Sequence, residues 1–401
     1  MSQVIHHNQI NAIEEALQLI FQEGKYADQV IESTLKKNPK WGSRDRRFIA
    51  ETTYDVVRWW RWISSCGEVK DDDEKKFLKA IRTWLILQGS EAPAWLDEGI
   101  SSEKILANIQ KLESVRALRE SIPDWLDELG EKELGESWDK ELHALNEQAR
   151  VVLRVNTLKA SRYVLQQALK QSEIEAETLP QCADALILQK RVNIFQQPVF
   201  KQGWFEVQDA SSQLVAPFLD VHPGMRVIDA CAGAGGKTLH LASLMQNKGQ
   251  LIALDTEGWK LQELRHRMRR AGAGVIETRT IDSTKVIKRL QESADRVLLD
   301  VPCSGLGVLR RNPDAKWKLN LEYIERMKKL QREILERYSQ MVKAGGKLVY
   351  ATCSILHSEN QEQVEQFLSA HKGFLLEEEK QIFPSEGFDG FYMARISRSN
   401  V

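Results

Sequence analysis

Asp229-Ala230-Cys231-Ala232-Gly233-Ala234-Gly235-Gly236-Lys237-Thr238 is the stretch on which the fold turns. A compact apolar run, Met225–Ala230, leads into it, and a helical pattern over Leu239–Gln246 follows. The stretch therefore reads as the turn from a buried strand to a helix. Its glycines let the backbone bend tightly and approach a ligand closely, and the helix start offers unpaired N–H groups to an anion. Two ligand classes compete for such a turn. A phosphate-gripping P-loop needs glycine five positions before Gly236, and Cys231 stands there. A nucleotide-type Rossmann turn needs an acidic residue about 20 positions on, closing the next strand, to bind ribose hydroxyls. Asp255, ending Leu251-Ile252-Ala253-Leu254-Asp255, meets that need. Together they favour an adenosine-containing ligand.

The same rhythm continues downstream. Val275–Ile281, Arg296–Val301 and Lys347–Thr352 are further apolar runs, and Glu257–Ala271, Leu321–Val342 and Ser358–His371 have helical spacing. Compact apolar strands alternating with helices predict a mostly parallel, doubly wound α/β sheet. Its ligand lies beyond the carboxyl ends of the strands, so the residues just after each strand carry the chemistry. Asp282 follows the third strand, where it either reaches the adenine side of the ligand or serves as a turn or cap residue. Asp300-Val301-Pro302-Cys303-Ser304-Gly305-Leu306-Gly307 follows the fourth, and Ala351-Thr352-Cys353-Ser354 the fifth. Two cysteines at the carboxyl ends of adjacent strands point to thiol chemistry on a bound substrate, cysteine being the best side-chain nucleophile near neutral pH.

Upstream the character changes. Residues 1–145 read as a helical domain, with Ile10, Ile13, Leu17 and Ile20 on one face and further helices over Asp45–Ile63, Lys75–Leu87, Ser102–Leu118 and Trp138–Arg150. The region's tryptophans, Trp59, Trp60 and Trp62 among them, fit a core better than a base-stacking platform. Residues 146–223 read as a small α+β domain, with strands near Val151–Asn156, Ala185–Leu188 and Trp204–Val207 and a helix over Tyr163–Gln171. Residues 224–401 hold the α/β sheet. The chain's net charge of −1 conceals −7 over residues 1–150 and +6 over the rest, so it does not argue against a nucleic-acid partner for the second part. Arg310 and Arg311 are candidates for phosphate contact, whereas Arg265–Arg270 reads as a solvated helix face. Five widely spaced cysteines form neither a disulfide framework nor a metal motif, and Cys66, Cys182 and Cys231 read as structural. No apolar run reaches the ~18–20 residues of a membrane span. The expectation is a cytoplasmic protein without a metal or membrane partner.

D-A-C-A-G-A-G-G-K-T, D-V-P-C-S-G-L-G and A-T-C-S resemble, in order and spacing, the motifs of the Sun-type (RsmB-like) RNA cytosine-5 methyltransferases. Leu153-Arg154-Val155-Asn156-Thr157-Leu158-Lys159, Val207-Gln208-Asp209-Ala210-Ser211-Ser212-Gln213 and Asp389-Gly390-Phe391-Tyr392 resemble other segments of that family. Arg44-Asp45-Arg46-Arg47-Phe48 resembles the NusB-like helical domain of RsmB proteins, although the acidity of this region departs from an RNA-binding pattern. The resemblance implies a Rossmann-like methyltransferase domain using S-adenosylmethionine. Cys231, Ala232, Gly233, Ala234, Gly235, Gly236 and Lys237 would hold its methionine end, Asp255 its ribose and Asp282 its adenine, with Asp300 at the edge of the same site. It further implies Cys353 as the nucleophile on carbon 6 of cytosine and Cys303 as the thiol of product release. Asp300 would bind the base edge, and Lys237 would orient it. The expected partner is RNA, with small-subunit ribosomal RNA as substrate. The alternatives are a DNA cytosine-5 methyltransferase, in which the P-C cysteine attacks, and a non-catalytic RNA-binding ribosome-assembly factor.

Overall fold

In the computed structural model, residues 5–400 are described. One compact unit comprises residues up to Glu147 together with Leu309–Asn320. Its helices include His7–Phe21, Ala27–Lys37, Ser43–Arg58, Trp60–Cys66, Lys76–Leu87, Ser102–Leu112, Asp124–Leu134 and Trp138–Asn146. The helix expected over Asp45–Ile63 breaks at Trp59, whose φ of −103° and ψ of 20° leave helical geometry. Successive side chains of an unbroken helix diverge by about 100°; the break lets both Trp59 and Trp60 pack on the core of Ile10, Leu17, Ile49 and Phe77. Trp60 lies 4.5 Å from Phe21 and 5.6 Å from Phe77, ring centroid to centroid. Core packing is thus what these tryptophans do.

Leu309–Asn320 belongs to this helical unit, although by sequence it lies inside the C-terminal domain. Trp317 Nε1 donates to Val57 O at 2.7 Å, and Lys316 Nζ to Asn146 Oδ1 at 3.2 Å. Arg310 is only 3% exposed; its Nη2 donates to Ala144 O at 2.8 Å, and its own carbonyl accepts from Arg58 Nη2. The expectation of a phosphate contact at Arg310 is therefore corrected: the guanidinium is buried against the helical unit's own backbone.

The second unit holds two sheets. Strands β1 (Val152–Val155), β2 (Ala176–Leu179), β3 (Cys182–Leu188) and β4 (Phe205–Val207) form the smaller, antiparallel in the order β2-β3-β1-β4. Helix Arg162–Gln171, capped by Ser161 Oγ accepting from Val164 N at 3.3 Å, packs Leu165 and Leu169 onto Leu153, Leu186 and Phe205. Strand β2 is not evident in the sequence because A-E-T-L has neither face deeply buried.

The larger sheet contains β5 (Arg226–Asp229), β6 (Gln250–Asp255), β7 (Ile276–Thr280), β8 (Ala294–Asp300), β9 (Val342–Thr352), β10 (Phe374–Ile382) and β11 (Phe391–Arg398). Their order is β10-β11-β9-β8-β5-β6-β7, with β5 to β9 parallel and the β10–β11 pair antiparallel at one edge. Strand order reverses between β8 and β5, which opens the crevice where doubly wound sheets bind ligands. Apolar clusters cover both faces, around Val227, Leu251 and Leu298 on one side and Ile228, Ile252 and Leu299 on the other. This two-sided burial is why β5, β6, β8 and the second half of β9 read as apolar runs; β7, at the sheet edge, buries only Ile276. No helix among the described residues is long and apolar enough to cross a membrane.

Candidate active site

The glycine-rich turn leaves β5 and enters helix Gly236–Leu244. Gly235 has φ +86°, and a Cβ there would lie 2.1 Å from Leu264 Cδ1, so only glycine fits. Asp255, closing β6, accepts from Gly233 N at 2.8 Å through Oδ2 and from Glu257 N at 2.8 Å through Oδ1. Turn and acidic residue thus come together as their spacing predicts. Ala232 N donates to Leu254 O at 2.9 Å, fixing the turn to the same strand. Burial pushes the Cys231 thiol well above its usual range, which leaves it inert. Asp282 is exposed on the loop after β7, accepting from Ser283 Oγ at 3.1 Å. Among the described residues no hydrogen bond joins it to the turn or to Asp255.

Beyond β8 and β9 the two cysteines meet. Cys303 Sγ lies 3.4 Å from Cys353 Sγ. The hydrogen bond to Cys353, then burial and the Cys353 and Glu359 charges, push the Cys303 thiol well above its usual range. Either sulfur can donate in this contact. Lys237 Nζ pairs with Asp300 Oδ2 at 2.7 Å and lies 4.7 Å from the centre of the Phe391 ring. Burial raises the Asp229 carboxyl from 3.8 to about 7, opposed by the bond it accepts from Thr238 Oγ1 at 2.7 Å. No group of His, Cys, Asp and Glu among the described residues is arranged to hold a metal.

The sequence reading missed the residues that hold the cysteine loops. Glu359 is fully buried and accepts from Ser304 N at 2.8 Å, Ser304 Oγ at 2.5 Å and Gln331 Nε2 at 3.0 Å. Asn360 accepts from Thr352 Oγ1 at 2.5 Å and donates to Ser354 O at 3.0 Å. The two loops are also laced directly: Gly307 N donates to Cys353 O at 3.0 Å, and Gly390 N to Gly307 O at 2.8 Å. A Cβ on Gly307 would lie 2.2 Å from Gly390 O, so that approach requires glycine. The only signal of Glu359 and Asn360 in the sequence is two polar residues six and seven positions after Cys353, just ahead of an amphipathic helix.

A family model described as 16S rRNA methyltransferase RsmB/F matches residues 216–397, and one for the ferredoxin-like domain of RsmF/B-like methyltransferases matches residues 122–195. A probable ribosomal RNA small subunit methyltransferase B from Synechocystis sp. is 34% identical over 383 residues, covering 86% of each chain. The chain belongs to the RsmB/F methyltransferase family. Among solved structures, the crystal structure of PH0851 is 25% identical with a TM-score of 0.84, covering 99% of this chain and all of that one. A methyltransferase homologue from Pyrococcus horikoshii is 27% identical with a TM-score of 0.64, covering 71% of this chain and 97% of that one. The RsmB/F resemblance drawn from the D-A-C-A-G-A-G-G-K-T, P-C and T-C motifs is thus upheld, as is the Rossmann-like methyltransferase fold preceded by a helical N-terminal region and a small α+β domain, which the family model describes as ferredoxin-like.

Proposed function

We propose that this RsmB/F methyltransferase transfers a methyl group from S-adenosylmethionine to carbon 5 of a cytosine in small-subunit ribosomal RNA, through a covalent bond from Cys353 to carbon 6. The observation that carries this reading is the pair of thiols 3.4 Å apart at the ends of β8 and β9, beside the Lys237–Asp300 ion pair. Carbon 5 of cytosine is a poor nucleophile. A thiolate adding at carbon 6 turns the ring into an enamine and makes carbon 5 reactive. After methylation the adduct loses its carbon-5 proton, the ring double bond re-forms, and the thiolate leaves. Cys353 is assigned the attack because it stands in the T-C-S motif, and Cys303 the release because it stands in the P-C motif, as the family resemblance implies; burial and the Cys353 contact, which push the Cys303 thiol up, are consistent with that order. A DNA-type mechanism, in which the P-C cysteine attacks, is the alternative. Cys303 assists release. Asp300 holds the base edge at ring nitrogen 3 through the proton that this nitrogen takes up from solvent as the thiolate adds, with Lys237 orienting the base and stabilising developing charge.

The turn fits the cofactor. A Cβ on Gly233 would meet nothing within 4 Å, and one on Gly236 only Gln208 Nε2 at 3.9 Å, so the backbone faces open space. The buried Asp229 Oδ1 has no hydrogen-bond partner there. S-adenosylmethionine, when bound, supplies a methyl group on a sulfonium. Residues 231–237 would take its methionine end, Asp255 its ribose and Asp282 its adenine. In this reading residues 146–223 bind RNA, residues 1–145 influence RNA choice, and the protein works in the cytoplasm. A target base within a helix is flipped out or already unpaired. Incubating the full chain with radiolabelled S-adenosylmethionine and small-subunit ribosomal RNA tests the reading. Label recovered as 5-methylcytosine is the expected result; label in any other nucleoside, or none, would overturn it.

A further inference from the structure

The L-R-V-N segment has a task that the reaction itself does not explain. Arg154 and Asn156, two residues apart, lie on one face of the strand line, and both reach from the small sheet into the methyltransferase sheet's helices. Asn156 Nδ2 donates to Ala271 O at 2.8 Å, and its Oδ1 accepts from Ser243 Oγ at 3.2 Å. Arg154 is 1% exposed, and its Nη1 donates to Gly236 O and to Gln208 Oε1. Directly across from Arg154 in the β1–β4 register stands buried Glu206. That carboxylate accepts from Arg267 Nη2 at 3.0 Å and Arg270 Nη2 at 2.6 Å. Arg267 then returns to the glycine-rich turn, its Nη1 donating to Ala234 O at 2.7 Å. The basic run Arg265–Arg270, expected to be a solvated face, is thus partly committed to this network.

Two guanidiniums therefore grip carbonyls of the same turn, at Ala234 and Gly236, and Glu206 stands between them as a shared counter-charge. One guanidinium comes from the small domain and the other from the helix after β6. We propose that Arg154, Glu206 and Arg267 are positioning residues that set the glycine-rich turn for the cofactor, so that the small domain governs cofactor affinity. This rests on the reading of that turn as the S-adenosylmethionine site. None of the three touches the proposed thiol chemistry, so their influence falls on binding.

Arg267 offers the cleanest test, because its side chain is partly exposed and Glu206 keeps Arg270 as a partner when it is lost. Arg267→Met removes both the Glu206 pair and the Ala234 bond. Calorimetry with S-adenosylmethionine on the full chain should show Kd weakened about tenfold or more. The KM for S-adenosylmethionine should rise in parallel, with kcat at saturating cofactor falling less than about threefold. Arg267→Lys keeps a charge but cannot reach both partners, and should fall between parent and Met variant. Glu206→Gln is a second entry to the same network and should also weaken cofactor binding. A purely structural role would lower kcat and the melting temperature together while leaving KM unmoved, and would overturn the proposal. So would parental Kd values in both Arg267→Met and Glu206→Gln. A parent chain that binds no S-adenosylmethionine would instead overturn the function on which the proposal rests.

Discussion

Asp255→Ala is the most informative single change at the cofactor side. Its carboxylate already accepts two backbone amides, Gly233 N and Glu257 N, each at 2.8 Å, which fixes it where a ribose would meet it. A charge-assisted hydrogen bond to a ligand hydroxyl contributes about 1.5–3 kcal/mol, and each ~1.4 kcal/mol is tenfold in Kd. Alanine should therefore weaken S-adenosylmethionine binding by about ten- to 150-fold. It also leaves the Gly233 amide without its acceptor, loosening the turn and moving the result toward the larger figure. Asp255→Asn retains one acceptor oxygen without the charge and should lie between. Titration calorimetry on the full chain, with a melting curve beside it to establish folding, reads the effect. Unchanged affinity in a folded Asp255→Ala protein would remove Asp255 from the site.

Two further outcomes follow from burial. The folded protein holds the Asp229 proton up to about pH 7, whereas the unfolded chain gives it up near 3.8; the corresponding stability is fully present below about pH 4 and is lost as pH rises through 7. Asp229→Asn ends this titration, so its melting temperature relative to the parent should be higher at about pH 8 than at about pH 5; an equal difference at both would contradict the raised pKa. Trp317→Ala removes the bond to Val57 O and packing against the helical core, and should destabilise that unit by about 2–3 kcal/mol in urea melts. A loss below about 0.5 kcal/mol, the range of ordinary surface changes, would show that Leu309–Asn320 is not held by that contact.

What the sequence disclosed follows from the period and burial of its strands. Strands β5, β6, β8 and the second half of β9 are covered on both faces, so they stand out as apolar runs, and the candidate site residues fall just after them in order. Asp255, Asp300, Cys303 and Cys353 were legible for that reason. Strand β10, F-L-L-E-E-E-K-Q-I, is an edge strand with most side chains exposed, and its acidic run hid it. Leu309–Asn320 looked like an ordinary loop because its partners, Val57, Ala144 and Asn146, lie far away in sequence. The same distance concealed Arg154 and Glu206. A buried charge is recognised by its partners, and no local pattern announces a partner tens of residues away.

The thiols themselves provide the most direct test. With Cys353 as the attacking group, Cys353→Ala cannot bond carbon 6 and should neither methylate nor trap RNA. Cys303→Ala should still attack and methylate, then stall before the carbon–sulfur bond breaks. That variant should accumulate a protein–RNA species that survives denaturing electrophoresis and disappears with nuclease. Finding the species in Cys353→Ala and not in Cys303→Ala would reverse the two roles, and finding it in neither would contradict the covalent mechanism.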